Sequence, residues 1–276
     1  MQKVILIGVL LATLNHVCAQ YYYNDILSLK ESNRMYLTLK KNNIKEVSAT
    51  SIESDNSPTE GFSYNRVIQN NGSLLITHIS LATAGSSVTY EYYTGDRLMK
   101  SIDSSFRVAT TVQYQYNDRD NVVASIETQT DDTSMNVFST ELHKWFYTNG
   151  VPDSMLRVKE RTDTTIVTFK KDDRQNVTEE IWTKKGKTLE HYYYYYNDQS
   201  QLTDIVRYNN KARQMLPDFL FQYDGGGIIS QMTQVSQGSS DYVIWQYVYD
   251  QRGLKIKDVL FDKRQELLGT VTYTYQ

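Results

Sequence analysis

The sequence predicts an all-β fold, an antiparallel up-and-down meander of about ten β-hairpins that forms a barrel-like or curled sheet. The first observation behind this prediction is a repeat. Tyr-Asn-Asp or Tyr-Asp turns begin at Tyr116, Tyr196, Tyr223 and Tyr249, and Tyr275 begins a further copy. The last four tyrosines are 27, 26 and 26 residues apart. A fixed period of this length indicates one supersecondary unit repeated along the chain.

The second observation is the alternation of residues before each turn. Val112, Tyr114 and Tyr116 fall on one face of a predicted strand and Gln113 and Gln115 on the other, the period-2 pattern of a half-buried strand. Asn, Asp and Gly then reverse the chain, and an aliphatic residue resumes the pattern. Clear copies span residues 88–98, 112–122, 192–202, 219–228 and 245–254, and weaker ones span 145–151, 167–177, 67–74 and 37–44.

The third observation is that no run with helical periodicity reaches a useful length. The best run, residues 25–31, is too short to predict a helix. A period of about 26 residues, less about four at each reversal, leaves strands of about nine residues and about twenty strands in all. A closed barrel of that size has a lumen too wide for side chains to fill. We therefore expect the sheet to flatten into two layers, to stay open and curl, or to hold water.

The N-terminus has the features of a secretory signal peptide. Lys3 precedes an apolar run over residues 4–14, and the small-residue pattern Val17-Cys18-Ala19 follows it. We expect cleavage after Ala19 and a secreted, periplasmic or cell-surface protein without cysteine. A lipid anchor on Cys18 is the alternative, but Val17 stands where acylation sites carry a small residue.

The remainder of the chain reads as one domain with scattered charge. The predicted organisation is a signal peptide over residues 1–19, a lead-in segment over 20–35 and a single hairpin-repeat domain over 36–276. The formal net charge is −3, and cationic and anionic residues are interspersed. Such a distribution argues against nucleic acid or an anionic membrane surface as a partner.

The Tyr-Asp turn followed by a Gly/Asn-Leu/Val restart resembles the YD repeats of bacterial RHS proteins. Over residues 36–276 the chain also resembles secreted Gram-negative proteins of unknown function that have a porin-like antiparallel β fold. The resemblance implies YD-type hairpins and an envelope or extracellular location. The self-cleaving core and toxin tail of RHS proteins have no counterpart in this sequence, so the resemblance does not imply a toxin.

Chemistry-bearing motifs are absent from the sequence. His78, His143 and His191 have no partners at metal-ligand spacing, and no nucleophile elbow, zincin or phosphate-binding motif occurs. We therefore predict no catalytic residue, no metal site, no cofactor and no enzymatic activity. The aspartates that recur at the turns could form a calcium-binding row, although such turns favour Asp for its local hydrogen bonding alone; they are Asp118, Asp198, Asp224 and Asp250.

The candidate ligand-binding residues are five consecutive tyrosines. Tyr192, Tyr193, Tyr194, Tyr195 and Tyr196 place rings on both faces of one strand, which a core on one side of the sheet does not explain. Rigid aromatic rings suit sugars and extended peptides, while cross-strand pairing within the core is the structural alternative. If these residues bind a ligand, Tyr193 and Tyr195 are the expected outward pair.

Three classes of function follow from these observations. We favour a secreted non-enzymatic binding or structural module whose partner is a glycan or an extended peptide. An outer-membrane transmembrane β-barrel is the first alternative because strands of about nine residues fit a bilayer, but the returning strands carry charges on both faces, which does not favour insertion. A secreted enzyme of unrecognised type is the second alternative.

Overall fold

The fold is described from a computed structural model that covers residues 20–117, 122–209, 212–236 and 241–276. The predicted signal peptide with its cleavage site, Cys18 and Asp118 lie outside the described residues.

The described chain begins with a helix. A π-helical turn over Tyr22–Leu27 leads into an α-helix, α1, over Ser28–Lys41. Leu29, Tyr36 and Leu39 form its buried face, with the spacing of one helical side. The expectation that no helix of useful length occurs was therefore wrong. The proposed weak repeat copy at residues 37–44 was wrong for the same reason, because α1 occupies most of that segment.

Eighteen strands follow α1, and the connections between them are short. In chain order, β1 to β18 are Glu46–Glu53, Ser63–Gln69, Leu74–Leu81, Gly85–Thr94, Arg97–Ser105, Val108–Tyr116, Val123–Asp132, Val137–Thr148, Val151–Lys159, Asp163–Lys171, Val177–Lys184, Lys187–Tyr196, Leu202–Asn209, Gln214–Tyr223, Ile229–Val235, Tyr242–Tyr249, Lys255–Asp262 and Leu267–Tyr275. A 3-10 turn, Asn70–Gly72, connects β2 to β3.

Each strand pairs antiparallel with its neighbours in the sequence, and the first strand closes the sheet. Val47 of β1 lies opposite Arg66 of β2 on one side and opposite Tyr275 of β18 on the other. The prediction of an all-β antiparallel meander is confirmed, and the meander closes into an 18-stranded barrel. The barrel has fewer strands than the predicted twenty or so. Because it is closed, the barrel-like form of the prediction is confirmed and the curled sheet was wrong.

The Tyr-Asp turns lie together at one mouth of the barrel, called the tyrosine mouth here, because alternate turns of a meander share an end. At this mouth, strands end and restart around Asn117, Asn149, Asp172, Asn197, Gly225 and Gln251. The remaining connections lie at the opposite mouth.

The repeated tyrosine has a structural role at the tyrosine mouth. Its hydroxyl donates a hydrogen bond to the backbone carbonyl of the residue at which the preceding odd-numbered strand restarts. Tyr116 reaches Leu98 O at 2.7 Å, and Tyr223 reaches Leu202 O at 2.7 Å. The register shifts by a β-bulge just before each of these tyrosines, which turns the ring toward the neighbouring hairpin. The same bond is made by Tyr147, Tyr196 and Tyr275.

The Asp or Asn that follows the tyrosine closes its own turn. Asp224 Oδ1 accepts the backbone N–H groups of Gly226 and Ile228, each at 2.9 Å. Asp250 Oδ1 accepts those of Arg252 and Leu254 in the same way. The two motif residues therefore satisfy backbone groups of the turn and of the neighbouring hairpin, and the motif is accounted for by folding.

The N-terminal segment, residues 20–41, occupies the lumen beside the tyrosine mouth. Tyr21 stacks on Trp182 with ring centroids 4.4 Å apart, and Tyr36 stacks on Tyr93 at 3.8 Å. Barrels of 16 to 18 strands commonly leave a wide channel, and here a helix with its side chains, about 10–12 Å across, takes up part of that space. Of the three expected outcomes, the two flattened layers and the open sheet were wrong.

Candidate functional site

The five consecutive tyrosines lie on β12 and alternate between the lumen and the outer surface. Tyr192 and Tyr194 are 1% and 2% exposed inside the barrel, and Tyr196 packs against the same core. Tyr195 is 51% exposed on the outer surface, and Tyr193 shares its face and is half-buried. A ligand that approaches from outside therefore meets two of the five candidate residues, the pair that the alternation predicted.

The three inner tyrosines belong to the core. Tyr194 donates a hydrogen bond of 2.6 Å to the Glu180 carboxylate, and Tyr196 donates one of 2.8 Å to Val177 O. Burial raises the pKa of Tyr194 well above its usual value, and the adjacent Glu180 raises it further. These rings are committed to the barrel interior and do not form an outer binding surface.

On the outer face, a chain of hydrogen bonds holds Tyr193 in place. Its ring stacks on His191 with centroids 4.2 Å apart, and its hydroxyl lies 3.1 Å from His191 Nδ1. His191 Nε2 lies 2.7 Å from Glu179 Oε2, and Lys170 Nζ lies 3.0 Å from the same oxygen. The chain crosses β10, β11 and β12, so it fixes the position of the ring relative to three strands.

Further groups surround this pair on the outer wall. Tyr195 lies opposite Asp204 on β13, and Tyr193 lies opposite Val206. On the same strand, Tyr208 is 52% exposed. We call these residues, together with the Tyr193 chain, the β12 outer face. It combines exposed aromatic rings with carboxylates and a lysine on a convex wall.

Inside the barrel, the Glu180 side chain binds the backbone N–H groups at the start of the N-terminal helix. The carboxylate is fully buried and accepts the backbone N–H of Tyr21 at 2.9 Å and that of Tyr22 at 3.0 Å. Trp182 Nε1 donates to it at 2.6 Å, as does the Tyr194 hydroxyl. Burial raises the pKa of Glu180, against the lowering effect of these donors. Glu180 thus serves as the N-terminal cap of a helix in another part of the chain.

A second buried network ties the same segment to β8 and β9. His143 Nδ1 lies 2.6 Å from Asp25 Oδ2, and its Nε2 lies 2.7 Å from Glu141 Oε1. Arg157 donates to the other Glu141 oxygen at 2.6 Å. Burial alone would lower the pKa of His143, but the two carboxylates raise it to about 9. The imidazolium therefore bridges the helix and the barrel wall.

The position of His143 inside the barrel was not predicted from the sequence. His143 lies within β8 on the lumen side, two positions before the buried Trp145. The strand parity shared with Trp145 was the signal that could have placed it inside. Glu180 likewise lies two positions before the buried Trp182 on β11. No neighbouring residue in the sequence, however, identifies the N-terminal helix as the partner of His143 or Glu180.

Other kinds of site find little support. In the described part of the chain, no three His, Cys, Asp or Glu side chains are grouped so that they could hold a metal ion. The Oδ1 atoms of Asp224 and Asp250, two members of the possible calcium row, are used by their own turns. Surface pockets of about 220 Å³ beside Tyr36 and about 440 Å³ beside Ile166 lie away from Tyr193 and Tyr195.

Within the described residues, neither helix combines the length and the hydrophobicity that crossing a membrane requires.

The solved structures that match the chain include two porin-like proteins and a toxin pore, all at low identity. A porin-like protein from Bacteroides uniformis is 11% identical with a TM-score of 0.40, over 84% of this chain and 98% of that one. A porin-like protein from Bacteroides vulgatus is 12% identical with a TM-score of 0.32, over 84% and 98%. A Tc holotoxin pore from Photorhabdus luminescens is 11% identical with a TM-score of 0.31, over 86% of this chain and 17% of that one.

No protein-family model and no curated protein matches the chain. Porin-like proteins are thus among the structural neighbours of the chain, while the YD/RHS resemblance stays a prediction. At these identities and TM-scores, the similarity carries no argument about function.

Proposed function

We propose that the protein is a non-enzymatic binding module that holds an extended glycan or peptide across the β12 outer face. The observation that carries the proposal is the outward placement of Tyr193 and Tyr195 on a strand whose other tyrosines complete the core. Tyr195 offers an exposed ring, and the His191–Glu179–Lys170 chain holds Tyr193 beside it. Aromatic rings held in this way bind sugars or peptide backbones with little loss of side-chain entropy.

The geometry of this face favours binding over catalysis. Glu179, His191 and Tyr193 are connected in the order of an acid–histidine–hydroxyl relay. Acyl or glycosyl transfer also needs a site that excludes water and donors aimed at the developing charge. A convex strand surface supplies no such enclosure, so the relay is better explained as a support for the Tyr193 ring.

The distribution of polarity favours a barrel surrounded by water over the transmembrane alternative. Transmembrane barrels carry an apolar outer band and a polar lumen. Here aromatic side chains line much of the lumen, while charged side chains such as Lys170, Glu179 and Lys257 lie on the outer wall. Phase separation in a cloud-point detergent tests this part of the proposal. Recovery of the folded protein in the detergent phase would support the transmembrane alternative.

The binding proposal is tested first with the unaltered protein on glycan and peptide arrays. The double variant Tyr193→Ser/Tyr195→Ser is then titrated against the strongest hit. Loss of two anchoring rings should weaken binding by about 1–3 kcal/mol, while the unfolding free energy should change little because surface substitutions usually stay within about 0.5 kcal/mol.

Tyr92→Ser supplies the matched control. Tyr92 is an outward tyrosine on β4, 37% exposed, and lies outside the proposed face. The substitution Tyr92→Ser should leave both ligand binding and stability unchanged. A double variant that binds as well as the unaltered protein, or arrays without a single hit, would contradict the proposed function.

A further inference from the structure

A second group of polar residues lies inside the barrel, on either side of the strand that closes it. Arg66 and Glu91 point inward from β2 and β4, with Arg66 Nη2 and Glu91 Oε2 3.5 Å apart. Lys255 and Asp258 lie on β17, with Lys255 Nζ and Asp258 Oδ2 2.9 Å apart. We call these four charged residues, with the tyrosines between them, the seam cluster.

Tyrosines connect the two ion pairs across β1. Tyr273 donates a hydrogen bond of 2.8 Å to Asp258 Oδ2, and its ring meets Tyr64 edge-on with centroids 5.8 Å apart. Tyr64 lies on β2, the strand of Arg66. Between the two rings β1 contributes Ala49, which is opposite both of them in the sheet register. Because Ala49 is small, the rings of Tyr64 and Tyr273 can fill the space between the two ion pairs.

The buried guanidinium of Arg66 has weak partners at its two terminal nitrogens, Nη1 and Nη2. Its side chain is 15% exposed, and Nε donates to Thr77 Oγ1 at 2.8 Å. Its Nη1 contacts only the thioether of Met35, at 3.5 Å, and Nη2 forms the loose ion pair with Glu91. A guanidinium normally binds a carboxylate through two parallel N–H groups. Within the described residues, no carboxylate does so here.

Buried polar atoms without a partner are concentrated in the same region. Six such side-chain atoms occur among the described residues, and three of them lie on β4 and β17: Glu91 Oε2, which has only the loose 3.5 Å contact with Arg66, Tyr93 Oη and Asp258 Oδ1. Tyr93 and Asp258 are at least 95% buried. Buried polar groups are nearly always hydrogen-bonded in native proteins. Unused donors and unused acceptors occur together here, so a molecule that carries both would satisfy them.

Polar side chains lead from the region toward the opposite mouth of the barrel. Toward that mouth the inner faces of β4 and β5 carry the short polar side chains Thr89, Ser101 and Asp103, which are all half-buried. Glu91 itself is 12% exposed. The aromatic half of the lumen, by contrast, is filled by the N-terminal segment. A small polar molecule that entered from that mouth would meet this polar β4–β5 wall on the way to Arg66 and Glu91.

We propose that the seam cluster binds a small zwitterion that carries an ammonium and a carboxylate, the chemistry of a free α-amino acid. The ligand carboxylate takes the open fork of Arg66 and the hydroxyl of Tyr93. The ligand ammonium takes Glu91 Oε2 in place of its loose contact with Arg66. Insertion between Arg66 and Glu91 replaces one loose ion pair by two well-formed ones. This site is independent of the β12 outer face and does not rest on its proposed role.

Isothermal titration calorimetry of the full chain tests the proposal with glycine, L-alanine and L-glutamate. Acetate and methylamine, each added alone, carry one of the two charges and should bind at least about tenfold more weakly, since each charged anchor contributes at least one factor of ten. Glu91→Gln keeps the side-chain volume and removes the ammonium partner. It should weaken amino-acid binding by about tenfold or more.

Glu127→Gln, the same substitution on the outer surface of β7 and outside both proposed sites, should leave amino-acid binding unchanged. Arg66→Lys keeps the positive charge but loses the fork, and binding should fall as in Glu91→Gln. If Arg66→Lys does not fold, Glu91→Gln decides the question alone. The proposal is overturned if the folded protein binds none of the amino acids at up to about 10 mM, well above millimolar dissociation constants, or if Glu91→Gln binds them unchanged.

Discussion

The substitution Glu180→Gln is expected to release the N-terminal helix from the barrel wall. The two carboxylate oxygens of Glu180 together accept four hydrogen bonds, from Tyr21 N, Tyr22 N, Trp182 Nε1 and the Tyr194 hydroxyl. Glutamine has nearly the same shape, but only one of its terminal atoms is an acceptor. Its amide nitrogen would face two donors at the position that the second carboxylate oxygen now holds.

The size of the effect follows from those contacts. Two buried donors lose their acceptor, and each unsatisfied donor costs about 1–3 kcal/mol. The helix also loses a negative charge at its N-terminus, worth about 0.3–1 kcal/mol or more when buried. We therefore expect the free energy of unfolding to fall by about 2–7 kcal/mol, a large part of the stability of an ordinary domain.

Urea unfolding followed by tryptophan fluorescence measures this loss, since Trp182 is itself one of the donors. Hydrogen exchange locates it, because the amides of residues 20–41 should lose protection first. Glu179→Gln is the matched control, one position away on the outer wall, and should cost less than about 1 kcal/mol. A loss below about 1 kcal/mol for Glu180→Gln, with residues 20–41 still protected, would refute the capping role.

Three further outcomes are expected. The pKa of His143 in the folded protein is about 9, above the usual 6.5, so protonation of His143 contributes about 3 kcal/mol to stability. This contribution is complete below pH 6.5 and is lost as the pH rises through 9. The urea midpoint should therefore fall between pH 6.5 and pH 9, and the midpoint of His143→Gln should stay level over the same range. Tyr223→Phe, which loses the 2.7 Å bond to Leu202 O, should cost about 0.5–1.5 kcal/mol in urea unfolding, whereas Tyr195→Phe should cost almost nothing. Intact mass of the exported protein should correspond to a start at Gln20, and a retained signal peptide would contradict the predicted cleavage.

The parts of the fold that could be predicted are those determined by neighbouring residues. Alternation from Val112 to Tyr116 specifies a strand, and Asn117 specifies the turn that follows it. Both signals act over a few positions, so the meander follows from the sequence alone. The number of strands was less accurate, because the segment around Leu37 carries the same residue types in a helix.

The helix itself could not be predicted because its stabilising partners are remote. Its capping carboxylate, Glu180, is 158 positions from Tyr22, and Tyr36 stacks on Tyr93 of β4. Isolated helices of this length are marginal in water, and tertiary packing supplies most of their stability. Closure of the sheet is equally remote, since β1 and β18 lie at the two ends of the described chain.

The candidate site was predicted in part. Because side chains alternate along a strand, the five consecutive tyrosines of β12 place rings on both faces of the sheet. The same alternation puts Tyr193 and Tyr195 on one face together. The contacts of Tyr193 with His191 and Glu179 depend on the register between β11 and β12. That register includes a β-bulge, so the residue pairs could not be derived by counting from the turn. The seam cluster joins strands from the beginning and the end of the sheet, so no local pattern points to it.

The pairing of β1 with β18 also determines the order in which the barrel can assemble. Val47 lies opposite Tyr275, 228 positions away (275 − 47), whereas the other strand pairs connect neighbours. Hairpins from β2 onward can form as the chain emerges, but closure waits for the last strand, and contacts of such long range form slowly. Because β1 directly follows α1, the same late step encloses the helix. Until then β1 and β18 remain open edges, and such edges invite pairing with other chains, so the interval before closure is when this protein is most exposed to aggregation.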